Sequence, residues 1–498
     1  MTSQIVKEKK MTAEEIAEMI QNDEVIGTSG FTPAGYPKAI PVALAKRARA
    51  LHEKNIPFQI TLYTGASTGD ELDGELARAK AIKKRAPYQS DKTLRQGINN
   101  GEIEFVDFHL SHLAQYMRYG FIDRCQTAIV EAVDVTNDGK IYLTTSGGMS
   151  ATLLQLADRV FIELNRHIPD GIKRLHDVYV PESPPHRPPI QIFHPRDRIG
   201  TPYVKIDPKK IVGIVETDLT DKNAGLRDPD ADSQAIASHI MDFLQHEEKR
   251  GRLPKGLPFQ SGVGNVANAV LAGMAKHPHG SPICMYTEVV QDSIFQLIDA
   301  DRLEVASTSS LTLSEAGQKR LFDNLDELGS KFIIRQQEMS NNPEVIRRLG
   351  IIAMNTALEM DIFGNVNSTH AFGCKMMNGI GGSGDFCRNA FVSIYMTPSC
   401  AMDGKISSIV PMVTHVDHNE HSVQVVVTER GLADLRGLAP VPRAKKIINQ
   451  CAHPDYQDLL FDYLKYGLQH AEAKHTPNTL IKAFEFHQRF METGSMKP

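Results

Sequence analysis

Glu288 ends the run Ile283-Cys-Met-Tyr-Thr-Glu288, which continues Val-Val-Gln-Asp292. The apolar stretch predicts a buried strand that delivers the carboxylate near its C-terminal end, where open α/β sheets place ligands. A carboxylate among apolar neighbours can serve as base, metal ligand or covalent nucleophile. It can also do no more than cap the next helix. Two glycine-rich segments offer backbone amides to a carbonyl or a phosphate. The first is Gly262-Val263-Gly264-Asn265-Val266-Ala267. Its spacing matches a dinucleotide turn, which requires a regular strand just before it. Pro254, Gly256 and Pro258 interrupt that approach, so a glycine loop feeding a helix is expected without a dinucleotide. The second is Asn378-Gly379-Ile-Gly381-Gly382-Ser383-Gly384-Asp385, after which no clear amphipathic helix is expected.

Three further segments hold polar groups at turns. Ser340-Asn341-Asn342-Pro343 and Thr428-Glu429-Arg430-Gly431 each present a side chain that can enter a site. His415-Val-Asp417-His418-Asn-Glu-His421 has metal-binding residue types. Read as a strand, it puts His415 and His418 on opposite faces, so locally hydrogen-bonded histidines are expected and no metal site.

The elements that must position these groups follow the same rhythm along the chain. Thr12 and Glu15 form a capping box ahead of a helix. A short strand at Val25–Gly27 enters the turn Ser29-Gly30-Phe31-Thr32-Pro33-Ala34-Gly35, and a helix follows from about Pro41. Apolar runs at 60–63, 103–108, 127–133, 160–164 and 211–215 alternate with helical stretches. Continuous apolar strands predict a largely parallel sheet covered on both faces, so the class is α/β. Asp218 to Asp232 is polar and rich in turn formers, which places a domain boundary near 222, with domains 1–222 and 223–498. Val180–Pro189 is expected to be an extended loop of the first domain. Val130-Glu131-Ala-Val-Asp134 with Asp138-Gly139 is echoed by Leu358-Glu359-Met-Asp361 with Phe363-Gly364. The echo predicts two domains of one fold meeting face to face.

Composition bounds the function. With 498 residues and 41% hydrophobic content the chain can bury large cores. A net charge of −5 argues against nucleic acid as a partner. No segment approaches the roughly 18 consecutive apolar residues of a membrane helix, and the N-terminus lacks the apolar core of a secretory signal. Cysteines 125, 284, 374, 387, 400 and 451 are scattered without a C-x-x-C pair, as expected of reduced thiols in the cytoplasm. A homodimer is expected.

Together the motifs resemble the acetyl-CoA hydrolase/transferase family of class I CoA-transferases. The residues that carry the likeness are SGVGNVANAV (261–270), YTEVVQD (286–292), SNNPEVIRRLG (340–350), NVNSTHAFG (365–373), MNGIGGSGDF (377–386), HVDH (415–418) and TERGLADLRGL (428–438), with GTSGFTPAGYPKAIP (27–41) and TGASTG (64–69) in the first half. The likeness is strongest to the succinyl-CoA:acetate and propionyl-CoA:succinate transferases. It implies two similar open α/β domains with the active site between them. It also implies Glu288 as the nucleophile, Gly262 to Val266 as a CoA-contacting stretch, Asn378 and Gly382 in a second CoA loop, and Asn341 and Glu429 lining the nucleophile's pocket. Lys405 is shared with relatives, whereas Met402 stands where several have Lys. Acyl-CoA and small carboxylates would be substrates and no cofactor would be tightly bound. Hydrolysis of acetyl-CoA by the same glutamate is the alternative activity.

Overall fold

The computed structural model describes residues 3–225, 228–262, 264–276 and 282–498. Two large sheets organise the chain. In the first, the strands run Ile211–Thr217, Arg159–Asn165, Thr127–Val135, Val25–Thr28, Ile60–Thr64, Ile82–Ala86 and Glu104–Phe105, all parallel, with an antiparallel pair at Lys140–Leu143 and Val204–Lys205. In the second, Val425–Thr428, Val392–Met396, Ile352–Thr356, Phe259–Ser261, Ile283–Tyr286, Leu303–Thr308 and Phe332–Arg335 are parallel, and Gly431–Asp434 pairs antiparallel at one edge. In both sheets the first strand of the half lies centrally. The next three strands extend to one side and the following ones to the other, so the two halves share a strand order. The sequence echo falls at matching places: Glu131 lies on the Thr127–Val135 strand and Glu359 just beyond the equivalent Ile352–Thr356.

Both faces of the central strands are buried, as their continuous apolar character demands. Val130, Ile162 and Ile214 join one apolar cluster, while their neighbours Ile129, Phe161 and Val215 join another. The alternation is the pleat of strands sandwiched between helices. The capping box forms as expected. Thr12 Oγ1 accepts from the Glu15 amide at 3.1 Å and Glu15 returns the bond at 2.8 Å.

Two local expectations are corrected. A strand does precede the first glycine segment, but it is only Phe259–Ser261 and begins just after Pro258. A helix, Ser383–Asn389, does follow the second, starting within it. The Val180–Pro189 loop stays against the first half, where Val180 packs on its core and Arg187 donates to the Tyr119 hydroxyl at 3.0 Å, but the chain on either side of it reaches the second half. His176–Asp177 is the edge strand of the second sheet, and Ile190 and Ile192 pack with Tyr286, Val345, Ile346 and Phe386 of the second half. Arg335 anchors both flanks to the second half, ion-pairing Asp177 and donating to the Pro195 carbonyl at 3.2 Å.

The carboxyl ends of the two sheets meet. Gly147 N–H donates to Ser309 O at 2.8 Å, Leu311 N–H to Thr145 O at 2.9 Å, and Gln337 N–H to Gly148 O at 2.8 Å. Loops at the carboxyl ends of both sheets are thereby brought to one seam.

Candidate active site between the sheets

The strand Ile283–Tyr286 breaks at Thr287 and Glu288 before pairing resumes at Val289–Val290. The break is fixed by the Glu288 carbonyl, which accepts from the Ser309 amide (2.9 Å), the Ser310 amide (3.0 Å) and the Thr308 hydroxyl (2.8 Å). With its backbone pinned, Glu288 presents its side chain to a cleft of about 150 Å³. Phe31, Thr32, Ala66, Tyr88 and Leu110 of the first half wall this cleft together with Ser261, Gly262, Asn355 and the 378–383 loop of the second.

Asn341 Nδ2 donates to Glu288 Oε1 at 2.5 Å. The amide is oriented by Ser340, whose hydroxyl donates to Asn341 Oδ1 at 2.8 Å, leaving the NH₂ end for the carboxylate. Behind it lies Asp385, which accepts from the Ser111 amide at 3.0 Å and hydroxyl at 2.6 Å. Burial pushes the Glu288 carboxyl up to about 7, opposed by the Asn341 bond and assisted by the nearby Asp385. Burial likewise lifts Asp385 to about 6. Two carboxyls flanking one amide make a site in which a proton is readily held.

Gly382 closes the wall opposite. A Cβ there would lie 1.7 Å from Glu288 Oε1 and 2.4 Å from Asn341 Nδ2. Its φ of −93° suits any residue, so the glycine serves close approach and not backbone freedom. The loop is held from outside by Asp107, which accepts from the Ile380 amide at 2.6 Å. It is held from within by Ser383, whose hydroxyl donates to Ile380 O at 2.8 Å and meets His418 Nε2 at 3.0 Å. His418 is therefore buried against this loop, while His415 stands half-exposed, 3.4 Å from Asp417.

Of the residues singled out from sequence, Glu288, Asn341, Gly382, Asn378 and Gly262 converge on or around the cleft. Gly264, at φ +113°, lies just outside, its amide 3.3 Å from Gln291 Oε1. Asn265 and Val266 begin the helix Asn265–Lys276, with Val266 packed on the core. Val263 lies outside the described residues. Glu429 and Lys405 are not among the residues lining the cleft. The Glu429 carboxylate accepts from the Ser399 amide at 2.7 Å, from the Ser399 hydroxyl, and from Arg430 Nε at 3.0 Å. Lys405 is exposed on a turn after Met402. Sequence reasoning did not single out Tyr88, Leu110, Ser111 or Asp107, which have no local signature. Asp385 and Ser340 sat inside motifs already noted.

A two-sheet α/β enzyme with a carboxylate in the cleft between its halves is the class of molecule this geometry defines. The chain belongs to the acetyl-CoA hydrolase/transferase family: its N-terminal domain model matches residues 3–216 and its C-terminal domain model residues 317–464. The chain is 48% identical to a propanoyl-CoA:succinate CoA transferase of Escherichia coli, over 98% of each chain. It is also 48% identical to a succinyl-CoA:acetate CoA-transferase of Clostridium kluyveri, over 99% of this chain and 91% of the relative. An acetyl-CoA hydrolase of Schizosaccharomyces pombe is 44% identical over 96% of this chain and 94% of its own. The fold matches RipA from Yersinia pestis with a TM-score of 0.71 at 22% identity, covering 93% and 98% of the two chains. No helix among the described residues is long and apolar enough to cross a membrane.

Proposed function

We propose that this enzyme transfers coenzyme A between small carboxylic acids, succinyl-CoA with acetate or propionate in either direction, through a thioester on Glu288. The Glu288 carboxylate attacks the acyl-CoA carbonyl, and collapse of the tetrahedral adduct expels CoA thiolate and leaves an acyl-glutamyl anhydride. The thiolate attacks the glutamyl carbonyl, releasing the first acid and leaving glutamyl-CoA. A second carboxylate enters and the steps reverse, so the thioester energy is retained. Asn341 steadies the carboxylate, and the Gly382 amide is the candidate donor to the oxyanion of each adduct. Binding of the long CoA tail along the glycine segments at 262–266 and 378–382 would orient the reacting carbonyl. The apolar group of Phe31, Ala66, Leu110 and Val289, with Tyr88 against it, borders the cleft and suits a short acyl chain. The observation that carries this reading is the Glu288 carboxylate, bonded to Asn341 and met at contact distance by Gly382.

Mass spectrometry after mixing with succinyl-CoA alone tests it: CoA should be found on the peptide containing Glu288, and Glu288→Ala should carry none. The hydrolase relative favours a second reading, acetyl-CoA hydrolysis by the same glutamate. An acceptor panel scored for acyl-CoA product against free CoA separates the two. We further propose a cytoplasmic homodimer, in keeping with the six unpaired cysteines, and a reaction that needs neither NADH nor a metal ion.

A further inference from the structure

We propose that Cys284, His194 and Glu304 form a binding site for a soft divalent cation of the zinc type, remote from the catalytic cleft. Cys284 lies at the amino end of the strand whose far end leads to Glu288. Its neighbours Ile283 and Met285 enter the main core, so its sulfur faces the opposite side, over Val305 and Ile333. The adjacent strand is out of register here. Ile283 pairs with Leu303 but Cys284 with Val305, leaving Glu304 as the extra residue beside the thiol. Such a bulge re-aims a side chain. His194 reaches over from the 190–199 segment.

The distances fit a metal. Cys284 Sγ lies 3.7 Å from His194 Nε2, and His194 Nε2 lies 3.7 Å from Glu304 Oε1. All three ligand atoms fall within 4.8 Å of one another. Tetrahedral zinc, with Zn–S of about 2.3 Å and Zn–N or Zn–O of about 2.0–2.1 Å, spaces its ligand atoms by about 3.3–3.6 Å. For the two pairs that include His194 closure asks for a few tenths of an ångström, and the Cys284–Glu304 pair closes from within 4.8 Å. Half-exposed His194 and Glu304 leave solvent to supply a fourth ligand. The histidine is also held in place from behind. Asp197 Oδ2 accepts from the amides of Phe193 (2.7 Å) and His194 (2.8 Å), and Arg348 Nη1 donates to the carbonyls of Ile190 (2.7 Å) and Ile192 (2.8 Å). A thiolate–imidazole–carboxylate set favours zinc or cobalt over magnesium or calcium.

Coordination converts the Cys284 thiol to a thiolate and releases one proton per metal to solvent. The His194 proton moves to Nδ1, which gives up the hydrogen bond it accepts from the Arg196 amide at 3.1 Å. Arg196 opposes binding a second way, because its guanidinium lies 2.9 Å from Glu304 Oε1.

The test is titration of the full-length protein with cobalt(II) alone, read as the thiolate-to-cobalt charge-transfer band in the near ultraviolet, followed by zinc competition. One equivalent should bind, zinc should erase the band, and Cys284→Ser should lack it. His194→Ala and Glu304→Gln should weaken binding at least tenfold, and Arg196→Ala should strengthen it several-fold by removing the competing cation. A band that survives Cys284→Ser comes from another thiol, exposed Cys374 first among them, and overturns the proposal. So does the lack of any band in the wild type. If Cys284→Ser does not fold, His194→Ala and Arg196→Ala decide alone: cobalt affinity unchanged in both rejects the site. Chelation is expected to leave CoA transfer intact, which keeps this test separate from that of the mechanism.

Discussion

A carboxylate that attacks a thioester must be ionised, and the surroundings of Glu288 oppose ionisation by raising its pKa to about 7. For the free enzyme, kcat/KM for acyl-CoA should therefore rise with pH and level off above about 7. A flat profile from pH 5 to 8 would show that the group is already ionised. The same shift has a stability consequence. A carboxyl whose folded pKa lies above its unfolded value destabilises the fold once ionised, fully above about 7 and not at all below its ordinary value of 4.5. Glu288→Gln should accordingly be more stable than wild type at pH 8, by roughly 1–2 kcal/mol after allowing for the cleft's access to solvent, with no gain at pH 4. Its transfer activity should be lost, as in Glu288→Ala, where residual turnover within about tenfold of wild type would rule out covalent catalysis. Gly382→Ala carries no backbone strain, since φ is −93°, but places a methyl against Glu288 Oε1. Adduct formation in a single turnover should fall about a hundredfold to a thousandfold, the worth of an oxyanion donor. A variant that melts lower yet forms adduct at the wild-type rate would assign the glycine to loop shape alone.

At the scale of elements, the short helix Gln337–Ser340 and the helix Ser383–Asn389 bring Asn341 and Asp385 to one point from segments 44 residues apart. Ser340 decides which end of the Asn341 amide faces Glu288. Ser340→Ala should remove a hydrogen bond worth about 1 kcal/mol and let the amide turn. Turnover should fall several-fold with KM little changed, whereas a purely structural serine would lower the melting temperature and leave turnover alone.

At the scale of the whole molecule, a buried ionic cluster ties the linker to both halves. Lys38 Nζ lies 2.7 Å from Glu131 and 2.8 Å from Asp221, with all three side chains about 1% exposed. Asp221 also accepts from the Thr145 hydroxyl at 2.6 Å, and its backbone carbonyl accepts from Gln318 of the second half at 2.9 Å. Lys38→Met would strand two carboxylates and should cost about 3–5 kcal/mol in urea unfolding. Adding Glu131→Gln should recover part of the loss; equal stability of the single variant and wild type would show that the carboxylates are neutral in the fold.

The sequence by itself determined the α/β class, the duplicated order and the strand-end carboxylate, because each is written in local pattern. Continuous apolar runs of five or so residues report strands buried on both faces, and Glu288, Gly382 and Asn341 sit in compact motifs whose chemistry can be read from residue type. The repeat of Glu131–Gly139 in Glu359–Gly364 was also visible, since in each half an acidic segment on or just beyond the equivalent parallel strand turns back through a glycine hairpin. Tertiary structure alone decided the rest. Tyr88 and Leu110 reach the cleft, and Ser111 and Asp107 support it from behind, only because the carboxyl ends of two sheets abut, and no local pattern encodes which loops face across a seam. The chain flanking the Val180–Pro189 loop joined the second half because Arg335 pairs with Asp177 and donates to the Pro195 carbonyl there. The neighbours of Cys284 were equally hidden, with His194 and Glu304 respectively 90 and 20 residues away along the chain. A strand-register shift and a long irregular excursion bring them together, and both are set by packing.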